Sequence, residues 1–372
     1  MTEKSTSTRK FSLYDLTPSE LKGFFASIGE KPYRAKQALD FLYRNPVDSI
    51  EKFTTLPAEL RNEIGKIAHL TPLRLRASLE SSDKAVKHAY ELLSEKKSGI
   101  LIESVWMPTE SADRDSSLDR IKQSGGEQSK RYTICISSQA GCAAGCTFCA
   151  TGKMGLKAQL TAGEIVYQVV HCMEIYKRLP DTVLFMGMGE PMHNFESVCA
   201  AVEIMTDEEA LAFSERRIVL STVGEIDKLD KFHRKFPRAR MAISLTAPTD
   251  NLRDSIVPVN KRFNLQDVQN FIRKVDLHRG DRITIEYALM EGVNDTDEMT
   301  GRLLGYLKPI TSRIKVNLIP WNTVSGLKFR SPDMARVFAM QEKMKAAGIL
   351  TFIRKNRGRD SSAACGQLAG RI

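Results

Sequence analysis

From residue 131 onward the chain repeats one pattern, a short β-branched run followed by a longer segment of helical periodicity. The runs fall at 131–137, 182–186, 217–222, 240–245, 282–289 and 313–319, and a last one closes the series at 349–354. Six βα units in succession imply parallel strands in a wound or barrel sheet. Helix signals fit the intervals. Thr161-Ala162-Gly163-Glu164 reads as a capping box opening a helix to about Arg178, with Ile165, Val169, Cys172 and Tyr176 as its apolar stripe. The last long helix takes Ser331 as N-cap, Pro332 at its first position and Gly348 just past its end.

In sheets of this kind ligands bind at the carboxyl ends of the strands. Unusual residues should therefore follow the strands, and they do. A cysteine loop follows the first strand and Gly187-Met188-Gly189-Glu190-Pro191 the second. Ser221-Thr222 ends the third, Ser244-Leu245-Thr246 the fourth, and Pro320-Trp321-Asn322 follows the sixth. Glycine lets a backbone approach a ligand closely, and Glu190 offers an acceptor for an ammonium group. One such feature is an ordinary turn; five on one rim predict a composite site.

The cysteine loop carries Cys142, Cys146 and Cys149 in a CxxxCxxC spacing. The chain has seven cysteines, an odd number with three crowded together, which suits a reducing cytosol and thiolate chemistry better than a disulfide framework. Three thiols leave one metal position unfilled. Zinc with a fourth ligand from elsewhere, and a four-iron cluster with one open iron, both fit at this point.

Upstream, residues 1–80 read as a helical domain, with helices at 18–27 (Thr17 as N-cap), 34–44 and 58–68. Lys31, Tyr33, Arg34, Lys36 and Arg44 mix basic and aromatic groups suited to an RNA backbone, or form a solvated face. Residues 81–130 form a β-hairpin adaptor around the turn 95–99 and then a polar mobile loop at 108–130. On the second hairpin strand Glu103 shares a face with Leu101, Val105 and Met107; buried among apolar neighbours, its pKa would rise as an acid–base group needs. Residues 131–372 hold the βα units and a small, polar tail in which Cys365, flanked by alanine and glycine, reads as a mobile nucleophile or an incidental thiol. The net charge of +10 favours a polyanionic partner. Residues 1–10 lack the apolar centre of a signal peptide and no run is long enough to span a membrane.

CxxxCxxC after a first strand with a Gly-Glu motif after the second resembles the radical S-adenosylmethionine (SAM) enzymes. The ordered series ISSQAGCAAGCTFCATG, MGMGEP, RRIVLSTVG, AISLTAP, IVPVNK, VNLIPWN and AACGQLAG resembles the RlmN-type adenosine methyltransferases along nearly the whole chain. The resemblance implies an α/β fold, a partial (β/α)6 TIM-like barrel with the helical domain and hairpin attached. It implies one [4Fe–4S] cluster on Cys142, Cys146 and Cys149, and a SAM site lined by Gly189, Glu190, Ser221, Ser244, Leu245, Thr246 and Asn322. Cys365 would carry the methyl group, Cys135 would resolve the adduct and Glu103 would act as general base.

By the same resemblance two SAM molecules serve each turnover. One methylates Cys365; the second yields the radical that activates that methyl group for addition to carbon 2 of adenine. Glu103 takes the ring proton and Cys135 attacks the Cys365 sulfur, releasing 2-methyladenosine. The substrates implied are 23S rRNA in the peptidyl-transferase region and the tRNA adenosine beside the anticodon, for a cytoplasmic monomer that draws on an electron donor. Two departures stand out: Thr246 where the family often has histidine, and a long 108–130 segment. The competing expectations are the Cfr-like carbon-8 methyltransferase, which uses the same cysteines, and a zinc-stabilised RNA-binding protein without catalysis.

Overall fold

The computed structural model describes residues 10–109, 131–354, 357–358 and 360–370. One ten-stranded sheet organises them. Its strands are β1 (Leu73–Glu80), β2 (Val86–Leu92), β3 (Leu101–Thr109), β4 (Arg131–Cys135), β5 (Thr182–Phe185), β6 (Ile218–Thr222), β7 (Arg240–Ser244), β8 (Ile283–Leu289), β9 (Ile314–Pro320) and β10 (Thr351–Ile353). Their spatial order equals their order in the chain. β4 to β10 are all parallel, while β1, β2 and β3 form an antiparallel meander whose last strand pairs with β4. The parallel part is the expected partial barrel, open at its ends.

Each parallel crossover carries a helix. The main ones are Ala162–Tyr176, Phe195–Thr206, Ile226–Lys235, Leu265–Lys274, Asp297–Leu307 and Met334–Ala346. The Thr161–Glu164 capping box forms as read, with Thr161 N–H donating to Glu164 Oε2 at 2.8 Å and Glu164 N–H to Thr161 Oγ1 at 3.1 Å. The last helix starts later than read. Its N-cap is Asp333, not Ser331, because the Asp333 carboxylate accepts from Ala335 N–H at 3.1 Å. Gly348 follows that helix in the left-handed region, φ +78°.

Two further differences concern the N-terminal half. The sheet begins at β1, before residue 81, so the adaptor is a three-stranded meander and not a hairpin. The second N-terminal helix is α-helical over Pro32–Leu39 and widens to a π-turn over Asp40–Arg44. β3 runs on to Thr109, and the rest of the 108–130 segment lies outside the described residues. The helical domain sits on the barrel's first crossover helix: Asp15 accepts from Gly163 N–H at 2.9 Å and Tyr14 meets Tyr167 edge-to-face at 5.3 Å.

Candidate active site

The carboxyl ends of β4 to β9 lie on one rim, and the cysteine loop, the Gly-Glu loop and the 244–246 turn follow strands there, while Lys31, Tyr33, Arg34, Lys36 and Arg44 lie on the N-terminal domain. The cysteine loop leaves β4 through a two-stranded ribbon, Gln139–Gly141 against Leu156–Gln159. Only glycine fits at 141: φ is +72° and a Cβ there would collide with the carbonyl of Gly155. Between the ribbon strands Cys142 and Cys146 are buried and Cys149 half-buried. Burial pushes the Cys142 thiol up to about 12, against the pull of the Ala144 amide, and the Glu190 and Cys149 charges add to the rise. Cys146 is driven up the same way, reinforced by Cys149 and Cys142. A site that penalises two neighbouring thiolates favours a cation beside them.

The Gly-Glu loop after β5 packs directly on the end of β4. Gly189 has φ +104°, and a Cβ would sit 2.6 Å from that of Gln139. Glu190 is buried. Its backbone N–H donates to Gln139 Oε1 at 2.8 Å, and its carboxylate accepts from Met192 N–H at 3.0 Å and Val223 N–H at 2.9 Å. Burial raises its pKa while those amides oppose the rise. It thus ties the loop after β5 to the loop after β6, a role that its reading as an ammonium acceptor did not include.

The C-terminal segment is anchored, contrary to the expectation of a mobile nucleophile. Gly366 O accepts from Ala150 N–H at 2.8 Å, Leu368 O from Thr151 Oγ1 at 2.6 Å, and Cys365 O from Asn322 Nδ2 at 3.1 Å. Further along, Ala369 N–H donates to Glu103 Oε2 at 2.9 Å. Further back, Gly358 N–H donates to Asp83 at 2.9 Å, and Asp360 accepts from Ser82 N–H at 2.9 Å and from Ser81 Oγ. Small side chains leave the backbone accessible, and it is the backbone that is held. Cys365 keeps access to solvent, yet the protein crowding it pushes its thiol up to about 11; Arg354 opposes that shift, while Cys149 and Glu286 add to it. Cys135, at the end of β4, is buried and pushed up to about 12, with Cys365 the next largest cause. The two thiols therefore feel each other's charge.

Glu103 is buried as expected, but not among apolar groups alone. Lys87 Nζ lies 3.0 Å from its second oxygen, and both side chains are shielded from solvent. The sequence reasoning missed Lys87; its signal was a lysine inside a strand whose other residues are largely apolar, two positions from the Glu103 partner Ala89. It also missed the buried Arg253 and Asn294, since neither lies in a rim motif that directly follows a strand.

Two family models match the chain: the ribosomal RNA large subunit methyltransferase N-terminal domain over residues 11–70 and the radical SAM superfamily over 136–304. A dual-specificity RNA methyltransferase RlmN from Anaeromyxobacter sp. (strain Fw109-5) is 37% identical, over 96% of this chain and 90% of that protein. RlmN 2 from Myxococcus xanthus (strain DK1622) is 38% identical over 92% and 86%. A radical SAM methyltransferase crystal structure from Sphaerobacter thermophilus superposes with TM-score 0.85 at 35% identity, covering 97% of this chain and 100% of that one. The chain belongs to the RlmN family.

RlmN-family enzymes are radical SAM RNA methyltransferases that use a [4Fe–4S] cluster and SAM. The residues present fit both. For the cluster, Cys142, Cys146 and Cys149 sit on one loop within electrostatic reach of one another, as three ligands of one cluster must. For SAM, Asn322 Oδ1 and Ser138 Oγ are buried at this RlmN rim with no partner among the described residues, and buried polar atoms of this kind call for a ligand.

Proposed function

We propose that the chain makes 2-methyladenosine in 23S rRNA and in tRNA, the activity its RlmN-type motifs imply, which accords with relatives named dual-specificity RNA methyltransferases. The observation that carries the reading is the path of the C-terminal segment. Gly366 is bonded to Ala150 of the cluster loop and Ala369 to the carboxylate of Glu103, and Cys365, next to Gly366, lies within electrostatic reach of Cys135. The proposed methyl carrier is thus coupled to the proposed resolving thiol, and its segment is bonded to the proposed base.

In this reading Cys142, Cys146 and Cys149 hold the cluster, and Gly189, Glu190, Ser221, Ser244, Leu245, Thr246 and Asn322 line the SAM site. Bound there, cluster and SAM supply a methyl donor and one-electron chemistry. Cys365 takes up the methyl group as a thiolate and carries it to the base. Glu103, paired with Lys87, accepts the proton that leaves the ring. Cys135 then displaces the product carbon from the Cys365 sulfur, forming a disulfide that two electrons must reopen. The Asn322–Cys365 and Thr151–Leu368 bonds set the reach of the carrier.

RNA is the partner favoured by charge and family. Lys31, Tyr33 and Lys36 are exposed on the N-terminal domain, Tyr33 and Lys36 beside a cleft of about 330 Å³. Arg34 and Arg44 also make structural bonds, to Thr55 O at 3.1 Å and Glu208 O at 3.3 Å. A cytoplasmic monomer supplied by an electron donor completes the proposal. Among the described residues no helix is long and apolar enough to cross a membrane.

Nucleoside mass spectrometry of 23S rRNA and tRNA incubated with reconstituted protein, SAM and reductant under anaerobic conditions tests the activity. 2-Methyladenosine is the expected product; 8-methyladenosine as the main product overturns the reading. Alanine at all three cluster cysteines should abolish the brown iron–sulfur absorbance, and its retention would sink the ligand assignment.

A further inference from the structure

Thr246 is buried and lies in the left-handed region at φ +58°. A β-branched residue rarely adopts that conformation, and such strain persists only where the surroundings over-determine it. Two buried polar side chains do so here. From one side Asn294 Nδ2 donates to Thr246 O at 2.6 Å and to Ala288 O at 2.7 Å, while its Oδ1 accepts from Met290 N–H at 2.7 Å. From the other, the fully buried Arg253 donates through Nε to Leu245 O at 3.0 Å and through Nη2 to Ser244 O at 3.3 Å and Val223 O at 2.5 Å. Within the turn Ala247 N–H closes on Leu245 O at 2.7 Å. The carbonyls of three consecutive residues, Ser244, Leu245 and Thr246, are thus all claimed from behind.

A peptide has a fixed relation between its carbonyl and amide, so pinning the carbonyls inward fixes which backbone and side-chain groups face the rim. We propose that Asn294 and Arg253 are positioning residues that lock the Thr246 turn in its strained form, so that the 244–246 face is shaped for SAM before SAM binds. This deepens the proposed function and rests on the reading that residues 244–246 line the SAM site. Neither side chain touches the ligand; each acts through the turn. Arg253 also spans two loops, since Val223 belongs to the segment that Glu190 holds, so one guanidinium aligns the ends of β6 and β7.

The test is SAM affinity by equilibrium dialysis on the reconstituted holoenzyme, with RNA affinity measured in parallel. Asn294→Ala should weaken SAM binding about tenfold and leave RNA binding unchanged. It should also speed hydrogen exchange at Ala247 N–H without SAM. Glycine enters the left-handed region freely, so Thr246→Gly, whose own SAM affinity is measured first, is the reference in which no strain has to be held. Asn294→Ala placed on that background should cost no more than about threefold. Wild-type SAM affinity in Asn294→Ala, or a tenfold loss when Asn294→Ala is added to Thr246→Gly, overturns the proposal. Should Asn294→Ala not fold, the double variant is compared with Thr246→Gly: parity supports the lock and a tenfold deficit refutes it. Ser244→Leu separates the two levels. If it binds SAM normally, the site assignment itself is wrong; if it does not bind while Asn294→Ala does, only the lock is wrong.

Discussion

Lys87 and Glu103 illustrate how much of this chemistry rests on single side chains. A buried ion pair contributes little net stability, but removing one partner strands the other charge, at a cost of about 3–5 kcal/mol. Glu103→Gln should therefore lower the melting temperature as well as stall turnover after addition to the base. Denaturation curves and gel analysis for a trapped protein–RNA species check the two effects separately. A second variant, Lys87→Met with Glu103→Gln, should regain most of the stability and none of the activity. For the thiols the expected outcomes diverge. Cys365→Ala should abolish self-methylation and turnover together, whereas Cys135→Ala should permit methylation of Cys365 and accumulate the covalent RNA adduct. Normal turnover by Cys135→Ala would remove its resolving role. The position of Glu103 on a strand and its burial were legible from alternation alone. Its partner was not, because Lys87 comes from a neighbouring strand whose register no local pattern reports.

At the level of elements, β1, β2 and the first crossover helix meet in a polar aromatic seam. His88 on β2 is buried, with Nδ1 2.8 Å from Ser78 Oγ on β1 and Nε2 3.0 Å from Tyr176 Oη at the helix end. Trp106 on β3 stacks on Tyr176 at 4.5 Å and on Tyr132 at 5.3 Å. Burial, then the His171 charge, depress the His88 pKa to about 4 from its ordinary 6.5. His88 is thus neutral in the fold but charges in the unfolded chain below pH 6.5. Its contribution is intact above pH 6.5 and lost as pH falls toward 4, a total of about 3 kcal/mol. Urea titrations across that range should show the loss, and His88→Gln should flatten it. Parallel strands, crossover helices and rim motifs were readable because each has its own period or turn chemistry. β1 was not: its sequence, LRLRASLE, leaves most of its residues outward on the sheet edge, so its identity comes from pairing with β2. The anchoring of the Cys365 segment was equally hidden, since backbone bonds to residues more than two hundred positions away leave no trace in local composition.

At the scale of the molecule, charge and domain docking decide how RNA is presented to the barrel. With a net charge of +10, RNA affinity should fall log-linearly with salt concentration. Replacing Lys31 and Lys36 by glutamine should lower that slope by about 1 to 2. The same variant should leave the SAM-dependent methylation of Cys365 unchanged, because the cleft lies away from the rim. Filter binding at several salt concentrations, beside mass spectrometry of the protein alone, checks both. An unchanged slope would place the RNA on another face.

The parallel strands follow one another in space as they do in sequence, so Cys135 on the first and Cys365 beyond the last stand at opposite ends of the series. The proposed disulfide would therefore join the two sides of the open barrel. It would close a covalent ring of 365 − 135 = 230 positions, and loops of that size restrict an unfolded chain by about 5 kcal/mol. Each catalytic cycle would then pass through a stapled form that melts later than the resting protein, and its population is measurable from heat resistance alone, without following any methyl group.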